Sequence, residues 1–128
     1  MFNLVSVMSR EKRIEPRLRI LVGEATALGP GKATLLEAIN TTGSISAAAR
    51  QMGMSYRRAW NLVYSMNRDF IGLVVETNSG GKGGGGASVT ELGKEVVESY
   101  REIEKEALTS VENKVSAFSL YLNHNATN

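Results

Sequence analysis

Cysteine is absent from the 128 residues, which excludes a disulfide framework and any thiolate-held metal. Histidine occurs once, as His124, beside the end of the sequence, a poor place for a general base or a metal ligand. Most hydrolase and metalloenzyme readings fall with these two absences, so no enzyme activity, metal or cofactor is expected. No apolar run approaches the roughly 20 residues that span a bilayer. The opening FNLVSVM is apolar but short, and its cations, Arg10, Lys12 and Arg13, follow it. A secretory signal has the reverse order, so a cytoplasmic protein without a membrane partner is expected.

What is present is ordinary in bulk, 42% hydrophobic and 22% charged, and suits one domain with a real core. The formal net charge of +2 hides a partition. Residues 1–89 carry 11 Lys+Arg against 6 Asp+Glu, whereas residues 90–128 carry 4 against 7. A basic body with an acidic tail suits a polyanionic partner.

Along the chain, RLRILV at Arg17 to Val22 reads as a strand. Gly29-Pro30-Gly31 marks a turn, and KATLLEAINTTG a first helix with Leu35, Leu36 and Ile39 on one face and Gly43 as its stop. SISAAARQMG is a short second helix capped by Ser44 or Ser46 and ended by Gly53. Ser55 caps a third, YRRAWNLVYSMNRDF, in which Ala59, Leu62, Val63, Met66 and Phe70 recur at helical spacing. LVVE at Leu73 to Glu76 is a second strand, TNSGGKGGGG a hairpin tip, and ASV leads to Thr90. From that N-cap a long helix carries Leu92, Val96, Tyr100, Ile103, Ala107, Val111, Val115, Phe118 and Leu122 on one stripe. A domain of this size does not cover so long a seam, and such seams pair with a second copy.

The informative stretch is ISAAARQMGMSYRRAWNLVY, residues 45–64. Two helices meeting across a tight turn need a small residue at the crossing (Ala49) and a left-handed residue in the turn (Gly53). Ala48, Met52, Met54, Ala59 and Leu62 supply the apolar filling. The remaining positions, at the start and outer face of the third helix, are those that enter a major groove. Arg57 and Asn61 are assigned to base reading, because a guanidinium matches guanine and an amide matches adenine. Ser46, Ser55, Arg58 and Arg68 are assigned to phosphates, with Arg68 beside Asp69 equally open to being a solvated ion pair. Tyr56 and Tyr64 stand close enough to take part. Trp60, the only tryptophan, is expected to pack at the base of the helix.

Residues 81–86 satisfy G-x-G-x-x-G between a strand and a helix. A dinucleotide site also needs a second parallel strand ending in an acid about 20 residues on, and that region here is helical. A phosphate loop fails as well, since Lys82 is followed by Gly83. The glycines suit a flexible wing with Lys82 at its tip, expected to order only on DNA.

The stretch GSISAAARQMGMSYRRAWNLVYSMN followed by GGKGGGGASVTELGKEVVESY closely resembles the DNA-binding domain of ModE-type molybdate-responsive regulators, over roughly residues 17–108. The marks are Gly43 to Ser46, S-Y-x-x-A-W at Ser55 to Trp60, Met66-Asn67, Gly80 to Ala87 and Thr90-x-x-Gly93. The two-helix stretch also resembles LysR-type regulators. The resemblance implies a dimeric winged helix and transcriptional control. No β-rich segment follows the long helix in these 128 residues, so the molybdate-binding domain of that family, and molybdate binding, are not expected here.

The expectation is therefore a mainly α protein with a small β-hairpin wing: a winged helix-turn-helix with a long C-terminal dimerisation helix. Residues 1–16 form a leading segment, loose or packed on a second copy; residues 17–90 form the DNA-binding domain, with its wing at 77–88. The dimerisation helix covers 90–122, through Val96, Tyr100, Ile103, Ala107 and Val111, and 123–128 are an unstructured tail. The partners expected are double-stranded DNA and a second copy. A non-specific architectural DNA binder and a winged-helix protein-interaction module are the alternatives.

Overall fold

The computed structural model describes residues 14–78, 86–123 and 125. Its elements are β1 (Ile20–Val22), β2 (Ala25–Leu28), α1 (Pro30–Thr42), α2 (Ile45–Met52), α3 (Tyr56–Asp69), β3 (Val75–Asn78), β4 (Gly86–Val89) and α4 (Glu91–Phe118). A short 3-10 turn, Ser119–Tyr121, follows α4. The chain is mainly helical, with two antiparallel strand pairs, β1 with β2 and β3 with β4. This order is compatible with a winged-helix-like fold. Lys82, most of the expected wing tip, residues 1–13 of the leading segment and most of the tail lie outside the described residues.

The first hairpin departs from expectation. The sequence reading assigns no strand to residues 23–28, yet Ala25–Leu28 is a strand paired with Ile20–Val22. Gly23 makes this possible: with φ 63° it opens a two-residue loop, and Val22 pairs with Ala25 across it. The next helix also begins earlier than read. Gly29 is its N-cap and Pro30 occupies the first helical position, where a missing N–H costs nothing.

Residues Leu18–Glu102 make one compact unit with a continuous core. Leu35, Leu36 and Ile39 of α1, Ala48 and Ala49 of α2, and Ala59, Val63 and Met66 of α3 are all buried. The alanines let the helices approach closely, while Met52, Met54, Leu62 and Phe70 close the periphery. Gly43 and Gly53, with φ 72° and 67°, end α1 and α2 as read from sequence. The Gly43 carbonyl also accepts the Ala87 N–H (2.9 Å), fixing β4 beside the α1–α2 turn.

The second strand starts at Val75 rather than Leu73. Val74 is buried, but its N–H goes to the Asn67 side chain and its carbonyl accepts Thr90 N–H (3.0 Å), so helix ends satisfy it rather than β4. Thr90 is the expected N-cap: its hydroxyl accepts Gly93 N–H (3.0 Å) and donates to Leu73 O (2.7 Å).

The first three turns of α4 belong to this unit. Tyr100 is 1% exposed and its hydroxyl donates to Leu18 O at 2.6 Å. Arg101 grips Glu37 of α1 through two bonds (2.8 and 3.1 Å) and adds one to Thr34 Oγ1 (3.1 Å). Residues 103–118 of α4 belong to a second unit, in which Ile103 and Phe118 are exposed and Phe118 meets Tyr121 edge to face. The helix ends at Phe118, four residues short of the expected limit.

Candidate nucleic-acid interface

Local sequence fixes how α3 is presented. Ser44 Oγ accepts Ala47 N–H (3.0 Å), which settles the capping choice in favour of Ser44. Ser46 lies inside α2, half-buried. Gly53 turns the chain, and the Met54 N–H returns to Ala49 O (3.0 Å). Ser55 Oγ then accepts Arg58 N–H (3.1 Å) and starts α3.

With Ala59, Val63 and Met66 facing the core, the opposite arc of α3 is set by helical geometry. Arg57, Asn61, Tyr64 and Arg68, at i, i+4, i+7 and i+11, run along its outermost line, and all four are exposed. Tyr56 is 56% exposed. Ser55, Arg57, Arg58, Asn61 and Leu62 line an open cleft of about 330 Å³. Among the described residues, no hydrogen bond or ion pair engages the side chains of Arg57, Arg58 or Asn61. Their donors face water. Arg68 differs, since its Nε is bound to Asp69 Oδ1 at 3.1 Å while the side chain stays 61% exposed.

Four of the eight residues assigned to DNA, Ser55, Arg57, Arg58 and Asn61, line that cleft, while Tyr56 and Arg68 are exposed elsewhere on α3. Ser46 sits on α2, and Lys82 lies outside the described residues. Trp60 is a correction. It is 40% exposed, in a row with Tyr56 and Tyr64, because the core beneath α3 is filled by Ala59, Val63 and Met66 on another arc. Of the five residues assigned to dimerisation, Tyr100 is part of the chain's own core and Val96 packs partly buried against it. Ile103, Ala107 and Val111 lie beyond that core.

One positioning role escaped the sequence reading, in which Asn67 stands only as a mark of the resemblance. Asn67 Oδ1 accepts the N–H groups of Val74 (2.8 Å) and Val75 (3.1 Å), and its Nδ2 donates to Val75 O (3.1 Å). It ties the last turn of α3 to the start of β3. A polar residue one helical turn after buried Val63, just before an apolar strand, was the available signal.

Lys32, in the first turn of α1, interacts electrostatically with Arg68 and Asp69 at the C-terminal end of α3. Its Nζ donates to Thr26 O, and burial lowers its pKa, partly opposed by Asp69 and reinforced by Arg68. No group of three His, Cys, Asp or Glu that could hold a metal occurs among the described residues. No helix among them is long and apolar enough to cross a membrane.

A mainly helical scaffold, compatible with a winged-helix-like fold, thus presents one helix whose outer arc is cationic, with Arg57 and Asn61 free of protein partners among the described residues and Arg68 paired with Asp69. The chain is a homologue of the ModE transcriptional regulators and of the molybdenum-pterin-binding proteins MopA and MopB. It is 40% identical over 104 residues to the molybdenum-pterin-binding protein MopB of Rhodobacter capsulatus, covering 81% of this chain and 37% of that protein. It is 41% identical over 71 residues to the DNA-binding transcriptional dual regulator ModE of Escherichia coli, covering 56% of this chain and 27% of the relative. The molybdenum transport protein ModE of Azotobacter vinelandii is 36% identical over 94 residues, or 73% of this chain and 35% of the relative. No family model matches. The chain spans little more than a third of the length of these relatives at most.

Proposed function

We propose that this chain is a sequence-specific DNA-binding transcriptional regulator, a winged helix-turn-helix acting as a homodimer rather than as an enzyme. The observation that carries the reading is the outer arc of α3, where Arg57, Arg58 and Asn61 hold unpaired donors toward solvent beside a tight α2–α3 turn. Arg57 and Asn61 read base edges in the major groove, each worth about 1–3 kcal/mol of discrimination. Ser46, Ser55, Arg58 and Arg68 hold phosphates and set register, and Lys82 meets the backbone or minor groove from the wing. Homology to a protein named as a DNA-binding transcriptional regulator supports the same reading.

The test is selection of bound duplexes from random DNA by the 128-residue chain, with and without molybdate. Recovery of a common sequence is expected. Recovery of unrelated sequences with a steep salt dependence would replace this reading with the architectural one, and no retention of DNA at low salt would replace it with a protein-interaction module. Relatives named as molybdenum-pterin-binding proteins favour a second reading, oxyanion binding by this chain. A calorimetric titration with molybdate decides it: heat at a defined stoichiometry supports that reading, and none removes it.

A further inference from the structure

Two rows of side chains cross the exposed arc of α3. One is the polar line through Arg57, Asn61 and Arg68; the other is aromatic, Tyr56, Trp60 and Tyr64, at i, i+4 and i+8. They meet at Tyr64, which is 65% exposed. Aromatic rings are a large apolar load to leave in water, and three in one row beside unpaired arginines form a mixed apolar and cationic surface. The helix carries three arginines and a single acidic residue, Asp69 in its last position, which pairs with Arg68. On the other flank Ser65 turns its hydroxyl onto Leu62 O (2.9 Å) and offers nothing outward. The charge of this face suits a polyanion better than an acid-poor protein surface.

The major groove presents only one apolar group on its base edges, the thymine 5-methyl. Trp60 stands one turn beyond Tyr56, and Tyr64 about 10 Å along the axis from Arg57, so both lie within the span of a helix seated in the groove. We propose that Trp60 and Tyr64 are specificity-determining residues that seat thymine methyl groups beside the bases read by Arg57 and Asn61. This rests on the DNA reading above and adds a preference for thymine that hydrogen bonding alone does not give. Burial of both rings on DNA also accounts for their exposure in the free chain.

The experiment uses the duplex recovered by selection, with each thymine replaced in turn by deoxyuridine, which removes the methyl and keeps every hydrogen-bonding group. For the wild-type chain, one or two positions should lose about fourfold in affinity, the factor one buried methylene is worth. Trp60→Ala and Tyr64→Ala should each erase the penalty at one position, with salt dependence unchanged because neither residue is charged. Tyr64→Phe should retain it. Both sites are exposed, and circular dichroism checks that the variants stay folded. A wild-type chain indifferent to every replacement, or alanine variants that keep the full penalty, overturns the inference while leaving the DNA reading intact. Failure to recover any duplex overturns the reading on which it rests.

Discussion

The side-chain amide of Asn67 is clasped to the backbone of Val75, accepting its N–H and donating to its carbonyl, both at 3.1 Å. A third bond, from Val74 N–H (2.8 Å), completes the contact between the end of α3 and the start of β3. Asn67→Ala leaves backbone groups of the buried residues Val74 and Val75 without partners and should cost about 1–3 kcal/mol. Asn67→Asp keeps both acceptor bonds but sets a carboxylate oxygen against Val75 O. Asn67→Asp should therefore recover only part of the stability that Asn67→Ala loses. Urea denaturation of wild type, N67A and N67D at neutral pH measures this. N67D as stable as wild type would exclude the donor role.

Gly93 is required for a different reason. A Cβ there would clash with the carbonyl oxygen of Val74, which already accepts Thr90 N–H, and would lie 3.2 Å from the carbonyl carbon of Val74 and 2.6 Å from Val89 Cγ1. Two of the obstructing atoms are backbone and cannot swing away. Alanine ordinarily improves a helix by about 1 kcal/mol over glycine. Here Gly93→Ala should instead lower stability by about 1–3 kcal/mol, the usual cost of overpacking. A melting temperature equal to or above wild type would show that α4 can shift away from Val74 and Val89.

The same contacts explain how much was legible in the sequence. As caps and stops, Ser44, Ser55, Thr90, Gly43 and Gly53 act within four residues of themselves, so they could be read locally, and with them the helices and the exposed arc of α3. The first hairpin was missed because Ala25–Leu28 has no dense run of β-branched residues and its Gly23-Glu24 loop is not a strong hairpin signature. Trp60 was misplaced because side-chain size suggested burial, whereas helical phase puts it outside the arc of Ala59, Val63 and Met66. Tyr100 was read as part of a dimer seam, since periodicity marks an apolar face without saying what covers it. Its partner, Leu18, is 82 residues away.

On DNA, the arginines should separate by role. Arg57→Ala should relax base preference at one position by roughly five- to 150-fold, the equivalent of 1–3 kcal/mol. Arg58→Ala and Lys82→Ala should weaken binding to all sequences alike, and each should lower the magnitude of the salt slope by about one. Competition binding with the selected duplex and single-base variants, at two or more salt concentrations, measures both quantities. Uniform loss for Arg57→Ala would move it into the phosphate group.

Beyond the core that takes up Tyr100, α4 carries Ile103, 48% exposed, and Phe118, 55% exposed. Pairing of this segment with a second copy would cover them. Ile103→Glu places a charge on that seam without touching the 18–102 core cluster. The expected outcome is a dimer for wild type and a monomer for I103E by size exclusion with light scattering, at unchanged helical content. A monomeric wild type at micromolar concentration would remove dimerisation through α4.

Lys32 gives a test in pH. Its folded pKa lies below the usual 10.5, chiefly through burial, with Asp69 raising it in part and Arg68 lowering it. Between the lowered value and 10.5 the unfolded chain holds the more protons at this site, so stability from Lys32 rises with pH across that window. The charged form is the one burial penalises; neutral Lys32 can still donate to Thr26 O. Lys32→Met keeps the apolar stem and removes the titration. The stability of wild type minus that of K32M should therefore increase from pH 8 to pH 10.5, as read from urea midpoints. A constant difference would mean that Lys32 reaches water as freely in the folded chain as in the unfolded one.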